Sequence, residues 1–254
     1  MKAGRVRDSD GMDWVLLRKC TQDVGKKGLG ALVWWMKVLG GILATETVLT
    51  RRGHGAAGLD GAAANGAAIC KLCGAAEETG WHMMAECTAC PAVIACRKRM
   101  VSAVHTALDE CLPREEVAIK EAMREMWAVD AEGKLRDWAA VEALEDGYAE
   151  AVAAGTQSEQ VLEEHLNLMQ NLRTLMRTQG GVECAAMGCL SKGWRRLIKM
   201  ESGMKASGVL LMLRRVQDSI RAGVREVWLQ RNKARRDWLK AHKLTVWQRR
   251  EAHR

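Results

Sequence analysis

Apolar residues recur at three- and four-residue intervals over most of the chain, the period of amphipathic helices. Trp14 to Lys27 reads as a short helix carrying Trp14, Leu17 and Val24 on one side. Leu29 to Leu49 reads as a second, with Leu32, Trp35, Met36, Leu39 and Leu43 near helical spacing and a weak point at Gly40-Gly41. Gly55 to Ala68 is mostly glycine and alanine, a low-bulk connector. Pro91 is placed to open a helix at its first turn, with Val93, Ile94, Met100 and Val104 on one side and Arg97-Lys98-Arg99 elsewhere. Beyond the break at Pro113, Glu115 to Gly147 reads as acidic helix with Val117, Met123, Met126 and Trp127 as its apolar positions. Ser158 is placed to cap a helix through Leu162, Leu166, Met169, Leu172, Leu175 and Met176, which Gly180-Gly181 ends. The last pattern starts near Ser207, passes Leu210, Leu213, Val216, Ile220, Val224, Val227 and Trp228, and points toward Trp247.

Composition agrees with this helical pattern. Alanine, leucine, methionine and charged residues dominate, there are 2 prolines, 1 tyrosine and no phenylalanine, and β-formers are scarce. At 254 residues, 48% of them apolar, the chain is long enough to bury a core. The longest apolar stretch, Gly28 to Gly41, is interrupted by Lys37 and is too short to span a bilayer, so no membrane association is expected. The first ten residues hold no apolar run, so no secretory leader is expected either.

One stretch carries candidate chemistry. Cys70, Cys73, His82 and Cys87 form a C-x2-C-x8-H-x4-C pattern, four soft ligands within eighteen residues. Thiolate and imidazole are the donors that Zn2+ prefers in a tetrahedral site. Gly74 lets the backbone turn tightly after the first pair, and the step from His82 to Cys87 is close to one helical turn. A second assignment uses the later pair Cys87 and Cys90 with Cys70 and Cys73, giving an all-cysteine ribbon. Both place one structural Zn2+ here, because four protein ligands leave no position for water or substrate. The 9 cysteines gather mainly around this motif, which favours a metal site in a reducing, intracellular setting over a disulfide scaffold.

Charge is unevenly spread behind a net +8. Leu108 to Glu164 holds five basic and sixteen acidic residues, whereas Leu190 to Arg254 holds eighteen basic and five acidic. A basic tail of this kind suits RNA or DNA, or the chain's own acidic segment. The candidate phosphate contacts are Lys71, Arg97, Lys98, Arg99, Arg231, Lys233, Arg235 and Arg236, with Arg195, Arg196, Arg214 and Arg215 on the same basic tail. Trp81, beside His82, either stacks on an unpaired base or lids the metal site.

The residues around the motif resemble the zinc-binding domain that follows the reverse transcriptase of non-LTR (LINE-like) retrotransposons. That family shows a helix ending in a Leu-Pro-Thr…Leu…Arg-Arg-Gly phrase, then Cys-Pro-x-Cys-Gly, an acidic pair and His-Leu-Leu-x-x-Cys. Here the phrase runs Leu43-Ala44-Thr45 … Leu49-Thr50-Arg51-Arg52-Gly53, followed by Cys70-Lys71-Leu72-Cys73-Gly74, Glu77-Glu78 and His82-Met83-Met84-Ala85-Glu86-Cys87. Gly188-Cys189 … Trp194 and Trp228 … Arg231-Asn232 are similar to later family phrases. Ala44 and Lys71 stand where the family has proline, and neither is a ligand. The resemblance implies Cys70, Cys73, His82 and Cys87 as the ligand set and a role in holding template RNA or target DNA. It does not extend to polymerase chemistry. The single tyrosine, Tyr148, is followed by Ala149-Glu150-Ala151 rather than paired aspartates.

The expected fold class is therefore mainly α, with helical layers around a small CCHC zinc knuckle. Four segments are expected: residues 1–62, a knuckle and following helix at 66–100, an acidic region at 101–187 and a basic region at 188–254. The expected role is zinc-dependent nucleic-acid binding. The alternative is a zinc-stapled module whose acidic helices dock a protein partner. No catalysis is expected, since His54, His105 and His165 stand apart from any nucleophile pattern and Cys184 and Cys189 are only two ligands. An intracellular, nuclear location goes with this reading.

Overall fold

The computed structural model describes residues 13–39, 45, 69–136, 163, 167–168, 170–172, 175 and 190–241. The Leu43–Gly53 phrase apart from Thr45, the Gly/Ala connector and most of the expected helix after Ser158 lie outside the described residues. The named elements are helical: α1 (Trp14–Gly25), α2 (Leu29–Leu39), a π-helical turn (His82–Glu86), α3 (Pro91–Cys111), α4 (Val117–Met126), α5 (Lys192–Ser202) and α6 (Ala206–Ala241). Two isolated antiparallel bridges join Ile69 with Glu77 and Val129 with Leu135.

Local chemistry explains the helix ends. Asp13 caps α1, its carboxylate accepting the N–H groups of Val15 and Leu16 at 3.1 Å each. Pro91 opens α3 as the sequence indicates, where its missing N–H is no loss. Gly203 closes α5 in the left-handed conformation. The expected helix from Glu115 to Gly147 is shorter: α4 stops at Met126. The chain then turns, with Gly133 N–H donating to the Asp130 carbonyl at 3.0 Å and Asp130 N–H to the Lys134 carbonyl at 2.9 Å. Gly133 sits at φ +84, a conformation that an L side chain resists. The Asp-x-x-Gly signal of this turn is overridden on paper by the helix-favouring alanine and glutamate around it.

The described chain divides into two compact units, each discontinuous in sequence. The boundaries fall inside two long helices, after Met100 in α3 and after Arg221 in α6.

The first unit contains α1, α4, α5, the second half of α3 and the first half of α6. Its apolar stripes follow helical spacing: Leu16, Cys20 and Val24 on α1, and Val209, Met212, Leu213, Val216 and Ile220 on α6, are all buried. Arg215 Nη1 meets Glu110 Oε2 at 2.6 Å, pairing the basic tail with the acidic segment at one point.

The second unit contains α2, the metal-motif segment, the first half of α3, the Val129–Leu135 turn and the second half of α6. Helices approach closely where Met100 of α3 lies against Gly223 of α6, and any β-carbon on residue 223 would overlap the Met100 side chain. Gly223→Ala is therefore expected to lose about 1–3 kcal/mol through overpacking, despite the better helix propensity of alanine. Gly30→Ala in α2 meets nothing and should be neutral or stabilising by up to about 1 kcal/mol. Urea melts of the two variants check the contrast.

Candidate metal centre

Two of the four ligands come from a closed loop. The Ile69–Glu77 bridge and the bond from Cys70 N–H to the Ala76 carbonyl at 2.8 Å join its ends. Gly74 N–H donates to the Cys70 carbonyl at 2.8 Å, and Gly74 takes φ +67 to complete the turn. The N–H groups of Cys73 and Leu72 point at the Cys70 sulfur, and that of Ala89 at the Cys87 sulfur. Donors aimed at sulfur favour the thiolate that binds metal.

The other two ligands flank the π-helical turn. Thr79 caps it, Oγ1 accepting the His82 N–H at 2.9 Å. In an α-helix, residues five apart point about 140° away from each other. A π-turn closes on the fifth residue instead. Cys87 N–H donates to the His82 carbonyl at 2.8 Å, so the imidazole and the thiol meet on one side. The x4 spacing is thus met by a π-turn, wider than the α-turn that the sequence suggests.

The four donor atoms of Cys70, Cys73, His82 and Cys87 all lie within 4.8 Å of one another. Bond lengths of about 2.3 Å to sulfur and about 2.0 Å to nitrogen in a tetrahedron imply about 3.8 Å between sulfurs and about 3.5 Å between sulfur and nitrogen. The observed Cys70 Sγ to Cys87 Sγ distance is 3.9 Å, and Cys73 Sγ to His82 Nε2 is 3.4 Å. The spacing therefore fits one ion of this size. Nε2 faces the sulfurs while Nδ1 lies 3.3 Å from Glu86 Oε2, the carboxylate–imidazole arrangement that orients a metal-binding histidine. Leu72, Met83 and Val93 line the space beside Cys70 and Cys87, so an apolar wall screens the sulfurs.

The ligands hold protons jointly. Contact with Cys87, together with burial, pushes the Cys70 thiol up to about 11, and the same contact draws Cys87 down. The Cys70 sulfur raises His82 to about 9 against the opposing effect of burial. A cation entering the site displaces these protons.

Two buried basic residues hold the segment in place. Arg97 is 0% exposed. Its Nε donates to the Met84 carbonyl at 2.7 Å, Nη1 to Gly133 at 3.0 Å, and Nη2 to Met83 at 3.0 Å and Cys87 at 2.7 Å. Burial pushes this guanidinium below its usual value, opposed by Cys87, Asp130, Cys90 and Glu86 in that order. Arg231 of α6 pairs with Glu78 in the loop between Cys73 and His82, with side chains only 3% and 1% exposed. Its guanidinium also lies 5.4 Å from the Trp228 ring centroid. Arg97 and Arg231 therefore leave the set of candidate phosphate contacts, since both cations are engaged inside the unit.

The other candidates lie elsewhere. Lys71 Nζ sits over the Trp238 ring at 5.7 Å. Trp81 and Arg235 are half-buried. Arg99 is exposed and pairs with Glu226 at 3.0 Å, and Lys98, Lys233 and Arg236 are exposed on their helices. Cys90, the fourth ligand of an all-cysteine ribbon, is half-buried and outside the cluster of donor atoms. Sequence reasoning missed Glu78, Glu86 and the internal role of Arg97. Only Arg97 had a readable signal: it stands four after Val93 and three before Met100, inside the apolar stripe of α3.

The chain matches no family model, no curated protein and no solved structure. The likeness to the retrotransposon zinc domain thus rests on the motif residues alone. What the structure establishes is a mainly helical fold holding a Cys3His cluster able to coordinate a metal ion.

Glu86→Ala removes the partner of His82 Nδ1 without touching a ligand. Because Glu86 is half exposed, zinc affinity should fall about tenfold, the low end of the range for such partners. Competition with a chromophoric chelator measures it.

Proposed function

We propose that the protein is a zinc-stapled helical module that acts by binding a protein partner. Cys70, Cys73, His82 and Cys87 hold Zn2+, which supplies structural stabilisation to a loop too short to have a core of its own. The observation that carries the structural role is the closed donor set: three sulfurs and one nitrogen within 4.8 Å of one another fill a tetrahedron and leave no place for a reacting water.

A protein partner is favoured by the surface of α2 in the same unit. Leu29, Val33 and Met36 stand at i, i+4 and i+7, and are 76%, 45% and 52% exposed. An apolar stripe of this spacing is what a helix presents to another protein. The burial of Arg97 and Arg231 works in the same direction, since it removes two cations from any phosphate-binding face.

A second reading, nucleic-acid binding in the manner of the retrotransposon domain, has one observation in its favour. Arg225, Lys233, Arg236 and Lys240 lie at i, i+8, i+11 and i+15 on α6, all exposed within one face. Fluorescence anisotropy with labelled single-stranded RNA and duplex DNA tests it. Four phosphate contacts should weaken binding roughly 50-fold for the single strand and roughly 150-fold for the duplex between 50 and 200 mM salt. Lys233→Glu with Arg236→Glu should then abolish it. The protein-partner reading expects no binding that responds to this pair.

The zinc role has its own test. Cobalt substitution should give a tetrahedral thiolate spectrum that added azide leaves unchanged, and chelation should remove helical circular dichroism. A spectrum that shifts with azide, or chelation that leaves the fold intact, contradicts a structural centre.

A further inference from the structure

Arg97 presents an unusual electrostatic problem. Its four hydrogen bonds all end on main-chain carbonyls, those of Met83, Met84, Cys87 and Gly133. Carbonyls satisfy the N–H donors, but they carry no net charge to balance a buried cation. Among the described residues, no carboxylate lies within ion-pair distance of this guanidinium. A charge held at 0% exposure requires a compensating one.

The metal centre supplies it. A divalent ion bound by three thiolates and one neutral imidazole carries one net negative charge. Among the anionic groups acting on Arg97, Cys87 is the strongest, and Arg97 grips the Cys87 carbonyl directly. We propose that Arg97 is the counter-charge of the Cys3His metal centre, so that one buried arginine and one anionic three-thiolate, one-imidazole cluster form a neutral pair and each stabilises the other. This rests on the reading of the cluster as a zinc site.

The pairing has consequences beyond tethering. The charge of Arg97 favours three deprotonated thiolates around a divalent ion over a set that keeps a proton on one sulfur. It also explains why an arginine occupies an apolar-stripe position of α3, where a leucine would pack without a partner. The bonds to Met83 and Met84 place the same guanidinium against the π-turn that delivers His82. Arg97 is thus a positioning residue for the ligands as well as their counter-ion.

The two roles separate in a charge-swap experiment on the full chain. Arg97→Lys keeps the charge and loses most of the carbonyl bonds, while Arg97→Gln loses the charge and keeps some donors. Zinc affinity is read by chelator competition, and the number of bound thiolates by the sulfur-to-cobalt charge-transfer bands of the cobalt form. The counter-charge role predicts that Arg97→Gln weakens zinc roughly 10- to 100-fold and that Arg97→Lys keeps most of the affinity. Cys73→His makes the centre neutral, and in that background Arg97→Gln should change affinity by less than about threefold, as expected of a pair whose charge partner is gone. Equal losses for Arg97→Gln in both backgrounds, or Arg97→Gln binding as well as Arg97→Lys, overturn the proposal and leave a tether alone. If Cys73→His does not bind zinc, the comparison of the two Arg97 variants in the native ligand set decides. Failure of the native protein to bind zinc at all would instead overturn the underlying zinc reading.

Discussion

The second unit depends on how the loop that carries Cys70 and Cys73 and the π-turn that carries His82 are held in one arrangement. The Arg97 guanidinium is central to that. It collects four carbonyls from the π-turn, the Cys87 ligand and the Asp130–Gly133 turn, and it does so from inside the apolar stripe of α3. Carbonyls that a π-turn leaves unpaired are expensive to bury. Gathering them on one cation satisfies them and fixes the direction in which His82 and Cys87 project. The Leu135 N–H to Ala85 carbonyl bond at 2.9 Å ties the same turn to the hairpin.

The metal ligands complete this arrangement from the other side. The Cys70–Cys73 loop has Glu77 bridged to Ile69 and Glu78 paired with the buried Arg231 of α6. Two ligands therefore hang from the loop and α6, and two from the π-turn and α3. The four donor atoms meet where these two groups of backbone come together. Removing one partner of a buried pair such as Glu78–Arg231 strands the other charge, at a penalty of about 3–5 kcal/mol. For this reason the buried charged groups near the site serve structure.

Much of this was legible in the chain. The helical class, the helix opened by Pro91, the long basic helix from Ser207 and the grouping of Cys70, Cys73, His82 and Cys87 follow from spacing and ligand type, which are local properties. What was not legible depends on long-range contact. Arg97-Lys98-Arg99 reads as one basic cluster; the stripe spacing of α3 marks its first member, but the four carbonyls that hold it inward come together only in the folded chain. Arg231 looks like part of a phosphate-binding run until Glu78, 153 positions earlier in the chain, is found against it. The turn at Gly133 was hidden by helix-favouring neighbours, and the π-turn has no sequence mark except the five-residue step from His82 to Cys87.

The most direct test of the account is the metal content of the purified native protein, with His82→Ala and Cys90→Ser measured beside it. The account predicts one zinc per chain in the native protein and in Cys90→Ser, and its loss in His82→Ala. No metal in the native protein, or zinc that survives His82→Ala and disappears in Cys90→Ser, would contradict it.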